Sequence, residues 1–268
     1  MYYNEAMENE AYIEFFTDFW VTKRIDEKPQ MNYEFEKHYH PYYELLLLIE
    51  GDVVCTIENK SYELKPYDLI FARPNEYHYL TLKSDKRYER YVIQFNANTL
   101  VPNVLTLIKD LDYFYSLNRT PLVSLYNKFD LYRQYIEHDS LQVLYSINIS
   151  EILILLASYF KSFSKAPTII NVELEKIITY INSNLSSNLS AKTLCEKFYV
   201  SKAWLFDIFK KHLKTTPNEY ITTKRIAKAQ ELLSFNAKPS QIYEQCGYKD
   251  YSTFYRAYVK HVGHSPAK

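Results

Sequence analysis

The sequence has few cysteines, no net charge and no long apolar run, and each of these absences removes a class of protein. The three cysteines are far apart and none lies in a Cys-x-x-Cys spacing, which argues against a disulfide framework and a zinc knuckle. No stretch approaches the roughly eighteen consecutive apolar residues of a membrane-spanning helix. The first thirty residues carry acidic side chains where a secretory signal is basic and then apolar. We therefore expect a cytoplasmic protein with no membrane partner.

The zero net charge conceals an uneven distribution along the chain. Residues 167–268 carry 15 Lys and Arg against 8 Asp and Glu, whereas residues 1–166 carry 17 against 24. A length of 268 residues is enough for two domains that each bury a core. The charge asymmetry favours a phosphate-binding carboxyl-terminal domain and an amino-terminal domain with another task.

The first part of the chain has the pattern of an antiparallel β structure. Short apolar or alternating runs, rich in β-branched and aromatic residues and separated by polar turns, occupy residues 43–95. We predict strands over Tyr43–Ile49, Val53–Ile57, Leu69–Phe71 and Tyr91–Phe95. Their spacing indicates an antiparallel barrel or sandwich. The fold class is therefore α+β, with helices after the barrel and an all-α carboxyl-terminal domain.

A helical stripe follows the strands. Its apolar residues recur about three, four and seven positions apart, and they are Leu141, Leu144, Ile152, Leu155 and Tyr159. We predict that helices around 141–160 form a homodimer interface, although the same stripe also fits a helix that only covers the barrel edge. A polar stretch with Pro167 indicates a linker. The predicted organisation is a sensing and dimerisation domain over 1–161, a linker over 162–170 and a DNA-binding domain over 171–268.

The last hundred residues contain an internal repeat. Phe209–Pro217 matches Tyr258–Pro266 in register, with an aromatic residue, Lys, His, an aliphatic residue, a hydroxyl and Pro in the same order. Upstream, Leu194-Cys195 corresponds to Ile242-Tyr243 with one residue less between the copies. One supersecondary unit therefore occurs twice.

Each copy has the plan of a helix-turn-helix. In the first copy Ser190 is a helix cap, and Ser201 caps a second helix that ends at His212 with Leu205, Ile208 and Phe209 facing inward.

In the second copy Pro239 or Ser240 starts a helix and Gly247 supplies the tight turn. A second recognition helix covers Tyr251–His261. Between the copies, a long amphipathic helix begins at Pro217 and ends near Asn236.

These residues resemble the AraC/XylS family of bacterial regulators over about residues 171–266. The resemblance rests on the connecting helix from Lys224 to Leu233, the Cys246-Gly247-Tyr248 turn, Phe254 and the closing Gly263-His264-Ser265-Pro266. It implies two recognition helices in successive major-groove segments of double-stranded DNA. It also implies a small-molecule effector and, in an activator, contact with RNA polymerase. Members of the family usually continue a few residues past the Ser-Pro pair.

The amino-terminal domain resembles a cupin barrel. His38, His40 and Glu44, followed by Gly51, resemble the first cupin motif, and Pro74 with His78 resembles the second. Tyr67 and Glu76 stand where many cupins have glycine. If the first three lie at alternate positions of one strand, their side chains converge inside the barrel. They then hold either an effector or, as in metal-binding cupins, a divalent metal.

The DNA-facing residues follow from helical spacing, because the inward residues leave the opposite side exposed. We predict DNA contacts from Ser201, Lys202, Ala203, Phe206, Asp207, Lys210, Tyr251, Ser252, Tyr255, Arg256 and Lys260. Arg256 suits a bidentate guanine or phosphate contact, and Asp207 suits a cytosine amino group. The lysines suit phosphates.

We expect no catalysis and no cofactor, because no nucleophile or acid–base pair accompanies the histidines. Two other functions fit parts of the pattern. One is a metal-dependent cupin enzyme with a DNA-binding appendage. The other is a degenerate module that acts through protein partners alone.

Overall fold

The computed structural model describes residues 10–35, 37–118, 120–159, 168–234 and 237–266. The chain splits into two compact units, one built mainly from residues before Thr168 and the other mainly from Ile169–Lys268. Residues 162–167 of the predicted linker lie outside the described residues, and Thr168–Ile169 forms a short strand. Each unit is described separately below.

The first unit contains two β-sheets. The strands are β1 (Glu10–Phe15), β2 (Phe19–Asp26), β3 (Tyr43–Glu50), β4 (Val53–Ile57), β5 (Lys60–Leu64), β6 (Asp68–Ala72), β7 (His78–Leu82), β8 (Tyr88–Phe95), β9 (Phe114–Ser116) and β10 (Thr168–Ile169). One sheet has the order β1-β2-β8-β3-β6-β9 and the other β10-β5-β4-β7. All neighbours in the six-stranded sheet run antiparallel. The predicted β architecture is confirmed as two facing sheets that do not close into one barrel.

Strand β3 explains where the cores of this unit lie. Its run Leu45–Leu48 is buried on both faces, because successive side chains of a strand point to opposite sides of a sheet. Leu45 and Leu47 join the core that the helices cover, whereas Leu46 and Leu48 join the core between the two sheets. The continuous apolar run therefore results from a sheet that is covered twice.

Helices cover the outer face of the six-stranded sheet. They are α1 (Val104–Leu107), α2 (Leu122–Tyr135) and α3 (His138–Tyr159). Among the described residues, α3 is the one helix long and apolar enough to span a membrane, by length and composition alone. Its Tyr145, Ile149 and Ile152 are completely buried in the core against the sheet. A core helix passes the same composition test, so α3 is not an indication of a membrane span.

The structure corrects the interpretation of the apolar stripe on α3. Leu141 and Ile152 are buried inside their own unit, and Leu144 and Leu155 are half-buried, while nothing is described for the side chain of Tyr159. The exposed apolar side chains of α3 are instead Val143 and Ile147, at 57% and 50% exposure. Helices that are apolar all round can bury either face, and the sheet decides which face is covered.

After the linker strand, the described residues of the second unit form helices joined by turns. Its helices are α4 (Val172–Ser183), α5 (Ala191–Phe198), α6 (Lys202–Leu213), α7 (Pro217–Ser234), α8 (Pro239–Ile242) and α9 (Tyr251–Val262). Side chains of Asn171, Ser190, Ser201 and Asp250 accept hydrogen bonds from backbone amides of the first turns of α4, α5, α6 and α9. The two predicted helix-turn-helix plans are confirmed, each with a recognition helix that ends one residue later than predicted.

The turns inside the two copies have different residue types at the position with left-handed backbone. Gly247 has a φ of +80° in the second copy, and the equivalent Tyr199 adopts the same left-handed region at +55° in the first. Tyr199 ends α5 and is 95% exposed. Because a side chain disfavours this region, the first turn carries backbone strain that glycine avoids in the second.

Candidate nucleic-acid interface and effector pocket

The outer face of α6 carries most of the predicted side chains of the first copy. Lys202, Ala203, Asp207 and Lys210 are exposed, and Phe206 is half-buried with the Lys202 ammonium 5.7 Å from its ring. On the opposite side, Leu205, Ile208 and Phe209 are buried. The face therefore combines two cations, one carboxylate and small or aromatic apolar groups.

Ser201 has a structural task at the start of α6. Its hydroxyl accepts a hydrogen bond from the backbone N–H of Trp204 at 3.1 Å. This bond satisfies one of the amides left free at a helix start. Trp204 is itself 36% exposed beside this face, and sequence reasoning missed it because an aromatic residue among apolar neighbours is normally assigned to the core.

The outer face of α9 carries the second predicted set. All five members are exposed, and they are Tyr251, Ser252, Tyr255, Arg256 and Lys260. The guanidinium of Arg256 lies 3.5 Å from the Thr253 hydroxyl, and otherwise extends into solvent as a planar donor. This geometry suits a bidentate acceptor such as a base edge or a phosphate.

Asp250 fixes the start of α9. Its carboxylate accepts bonds from the Thr253 backbone N–H at 2.8 Å and from the Thr253 hydroxyl at 3.0 Å. The bonds from Thr253 hold the pKa of Asp250 below its usual value. The exposed Thr253 was also missed by sequence reasoning.

Helix α7 belongs to the cores of both copies. Near its start, Tyr220 meets Phe209 of α6 edge to face at 5.5 Å. Further along, Ile226 and Ala229 pack with Ile242, Cys246 and Phe254 of the second copy. Helix α7 therefore packs against both recognition helices, as expected for the predicted connecting helix.

The predicted effector residues of the first unit come together in space. The ring centres of His38 and His78 lie 4.5 Å apart, whereas His40 falls in the second compact unit. The expectation that His38, His40 and Glu44 share one strand was wrong, because β3 begins only at Tyr43. His38 is brought in by an isolated antiparallel bridge to His78, a non-local pairing that alternation along the sequence does not reveal.

A buried polar group extends this cluster. His78 Nδ1 donates to the Glu76 carbonyl at 2.8 Å, which directs Nε2 toward the Glu44 carboxylate at 3.6 Å. Gln94 donates a hydrogen bond to the same carboxylate. Burial lowers the pKa of His78, but the negative charge of the nearby Glu44 carboxylate outweighs burial and holds that pKa above its usual value.

The same donors fit a divalent metal chemically. Imidazole nitrogens and a carboxylate are the ligands that zinc and similar ions prefer. The bond from His78 Nδ1 to a carbonyl is the type of outer contact that orients a metal-binding imidazole. The His78 imidazole and the Glu44 carboxylate can therefore share a proton or bind an effector or a metal ion.

Two arginines that sequence reasoning missed lie on neighbouring strands of the six-stranded sheet. Arg24 of β2 and Arg90 of β8 are direct cross-strand partners. Their guanidinium carbons lie 5.1 and 5.4 Å from the centre of the same Phe35 ring, which packs against the core between the sheets. Like charges opposite each other on a sheet repel. The Asp26 carboxylate, 3.9 Å from the Arg24 guanidinium, offsets part of this repulsion.

Comparison with protein families matches both units. The family model of the AraC-like ligand binding domain matches residues 25–127. A second family model, of a helix-turn-helix domain, matches residues 194–268. Together these ranges cover more than half of the chain. The fold and the two faces thus define a two-unit protein with a ligand-binding-type β unit and a helix-turn-helix unit.

Individual relatives are regulators. The lactose operon transcription activator of Staphylococcus xylosus is 30% identical over 102 residues, 38% of this chain and 37% of that protein. The raffinose operon regulatory protein RafR of Pediococcus pentosaceus is 32% identical over 91 residues, 34% of this chain and 33% of that protein. These matches thus span about a third of each relative. The uncharacterized regulator YbfI of Bacillus subtilis (strain 168) is 23% identical over 235 residues, 82% of this chain and 81% of that protein.

Among solved structures, ToxT from Vibrio cholerae O395 covers 93% of this chain and 96% of its own, at 19% identity and a TM-score of 0.39. The two family matches carry the assignment. The chain belongs to the AraC/XylS family of transcription regulators.

Proposed function

We propose that this protein is a cytoplasmic transcription regulator that binds double-stranded DNA through α6 and α9 and responds to a small molecule bound in its β unit. The observation that carries the DNA-binding part is the pair of exposed faces on two capped helices held by one connecting helix. Helices presented in this way enter successive major-groove segments. We assign no enzymatic reaction to the chain, in keeping with the names of these relatives.

The roles of the two faces differ in this proposal. Arg256 on α9 contacts a guanine or a phosphate, and Lys260 contacts phosphate. On α6, Lys202 and Lys210 contact phosphates, while Asp207 accepts from a cytosine amino group and Ala203 with Phe206 lies against thymine methyls. The second face therefore supplies more of the charged contact, and the first discriminates by shape.

The DNA-binding test begins with duplex selection by the full chain from a random pool. Arg256→Ala should then lower affinity for the selected duplex by about 1–3 kcal/mol and relax preference at one position. Lys65→Ala is the matched control, since it removes an exposed cation from the β unit. Selection of no duplex, or equal losses for Arg256→Ala and Lys65→Ala, would contradict the proposed function.

The effector part of the proposal places a small polar molecule among His38, Glu44 and His78 of the first unit. Two relatives are named for lactose and raffinose operons, so saccharides are the first class to test. A thermal-shift screen should compare sugars, small organic acids and divalent metals, because a ligand of the folded state raises the melting temperature. Glu44→Gln should abolish the shift of a true effector, and a shift that survives it counts against this site.

We further propose that the protein forms a homodimer through α3 and the neighbouring α2. The exposed apolar side chains that support this are Val143 and Ile147 of α3 with Leu131 and Tyr135 of α2. Exposed apolar patches of this kind mark interaction surfaces. Ile147→Asp should shift the full chain from dimer to monomer in sedimentation velocity, and a monomeric wild-type chain would refute the dimer. Contact with RNA polymerase belongs to the proposal if the regulator activates.

A further inference from the structure

We propose that Arg225 is a positioning residue that locks the second helix-turn-helix copy onto the first, and so sets the half-site spacing that the chain accepts on DNA. The spacing part rests on the proposed function, whereas the lock itself does not. The relevant contacts all lie within the helical unit.

On one side, Arg225 holds the first copy. It projects from α7, and its Nε donates to the Leu185 carbonyl at 3.0 Å. Its Nη2 donates to the Ser187 carbonyl at 2.7 Å. Both carbonyls lie in the segment between α4 and α5, ahead of the first helix-turn-helix. One guanidinium thus ties the connecting helix to the backbone segment that leads into the first copy.

On the other side, the same guanidinium meets the turn of the second copy. Its central carbon lies 5.6 Å from the centre of the Tyr248 ring, a cation–π distance. At the neighbouring Gly247, an added Cβ would lie 2.7 Å from Arg225 Nε and 2.1 Å from the Leu185 carbonyl oxygen. The turn can approach the guanidinium and the first copy this closely only because position 247 has no side chain.

The chemistry of the contact requires arginine. A guanidinium is planar, so it donates to two carbonyls in its plane while its face lies against an aromatic ring. A lysine ammonium is a point charge and cannot do both in one fixed geometry. Arg225 is half-buried, and burial of its guanidinium lowers its pKa.

The consequence concerns how two weak half-sites combine. A rigid connection gives the second recognition helix a high effective concentration at one spacing and a low one elsewhere. Without the lock, α7 still connects the copies, but their mutual orientation varies. Affinity for the correct site then falls, and tolerance of wrong spacings rises.

The lock can be tested without DNA by electron–electron distance measurements on the full chain. Nitroxides at Lys211→Cys of α6 and Lys260→Cys of α9, both exposed, report the distance between the copies. Cys195 is replaced by Ser because it is the half-buried cysteine. The distance distribution should be narrow with Arg225 and at least about twofold broader with Arg225→Lys. An equally narrow distribution in Arg225→Lys overturns the proposal.

A spacing assay then tests the consequence on the duplex that the full chain selects. Inserting one base pair between half-sites should weaken wild-type binding about tenfold or more, but weaken Arg225→Lys binding less than about threefold. On a duplex in which one half-site is scrambled, the affinity of Arg225→Lys should stay within about twofold of that of the wild-type protein. Ile226→Val, a mild core change one residue along α7, is the stability-matched control and should keep the wild-type spacing penalty.

The outcomes separate the possibilities. If Arg225→Lys loses half-site and full-site affinity equally, the residue only maintains the fold and the proposal is overturned. A wild-type spacing penalty in Arg225→Lys overturns it as well. If the wild-type chain selects no duplex, the proposed function fails, while the distance distributions still decide whether the lock exists.

Discussion

Replacing Gly247 with alanine should destabilise the helical unit far more than the same replacement at Gly263. Both residues have a positive φ, +80° and +87°, so alanine meets a similar backbone cost at each. That cost is about 1–2 kcal/mol, and it is offset by about 0.4–1 kcal/mol because alanine restricts the unfolded chain. Gly263→Ala should therefore lower the free energy of unfolding by about 1 kcal/mol or less.

The two sites differ in how much free space surrounds an added Cβ. Nothing lies within 4 Å of a Cβ added at Gly263, whereas at Gly247 it would lie 2.1 Å from the Leu185 carbonyl oxygen. A backbone atom cannot swing aside as a flexible side chain does, so the turn must move away. Forced overpacking costs about 1–3 kcal/mol, which brings the expected loss for Gly247→Ala to about 1–4 kcal/mol.

Urea unfolding followed by tryptophan fluorescence can measure this difference in the full chain. The protein has two tryptophans, Trp20 in the β unit and Trp204 in the helical unit. A Trp20→Phe background lets Trp204 report the helical unit alone. Equal losses at Gly247→Ala and Gly263→Ala would refute the close approach and, with it, the geometry around Arg225.

Three further predictions follow from other sites. Tyr199→Gly should stabilise the helical unit by about 0.5–1 kcal/mol in the same assay, because the left-handed backbone costs more with a side chain than glycine costs in entropy; a destabilised variant would contradict the strain. Asp207→Ala should relax preference at one base pair while the salt dependence of binding stays nearly constant, and a uniform loss across all duplexes would count against a base contact. Because the folded-state pKa of His78 is raised, its pairing with Glu44 stabilises fully below the unfolded pKa of about 6.5, and this contribution is lost as the pH rises through the folded value. In the presence of a metal chelator, the wild-type protein should melt at a higher temperature than Glu44→Gln at low pH, and this difference should shrink as the pH rises through the folded-state pKa of His78. A difference in melting temperature that does not change with pH would refute the pairing.

Local signals explain why the helical unit was predictable. Ser190 and Ser201 precede their helices, and a cap requires only the amides of the next turn. Gly247 acts through its freedom to adopt a positive φ, and Pro217 acts through its fixed φ. Because the unit occurs twice in the sequence, each copy also supported the helix assignments made for the other. The ends of the two recognition helices were therefore correct to about one residue, whereas the predicted end of the connecting helix near Asn236 lies outside the described residues.

The β unit was less predictable because its contacts are non-local. The sequence predicted β3, β4, β6 and β8, but not the other six strands. Among those six, β2 pairs with β8 and brings Arg24 opposite Arg90, which is far away along the chain. The histidine cluster depends on the bridge between His38 and His78, not on alternation within one strand. Such pairings are set by the whole sheet and leave little trace in a short window of sequence.

The sequence by itself determined the class of this protein: two units, a tandem helix-turn-helix and the residues on its exposed faces. These features depend on caps, turns and helical period, which act within a few residues. Only the tertiary structure decided which face of α3 is buried, how His38, Glu44 and His78 come together, and that Arg225 joins both copies beside Gly247. Each of those depends on atoms distant in sequence that meet in a packed interior, where position is fixed by all neighbours together.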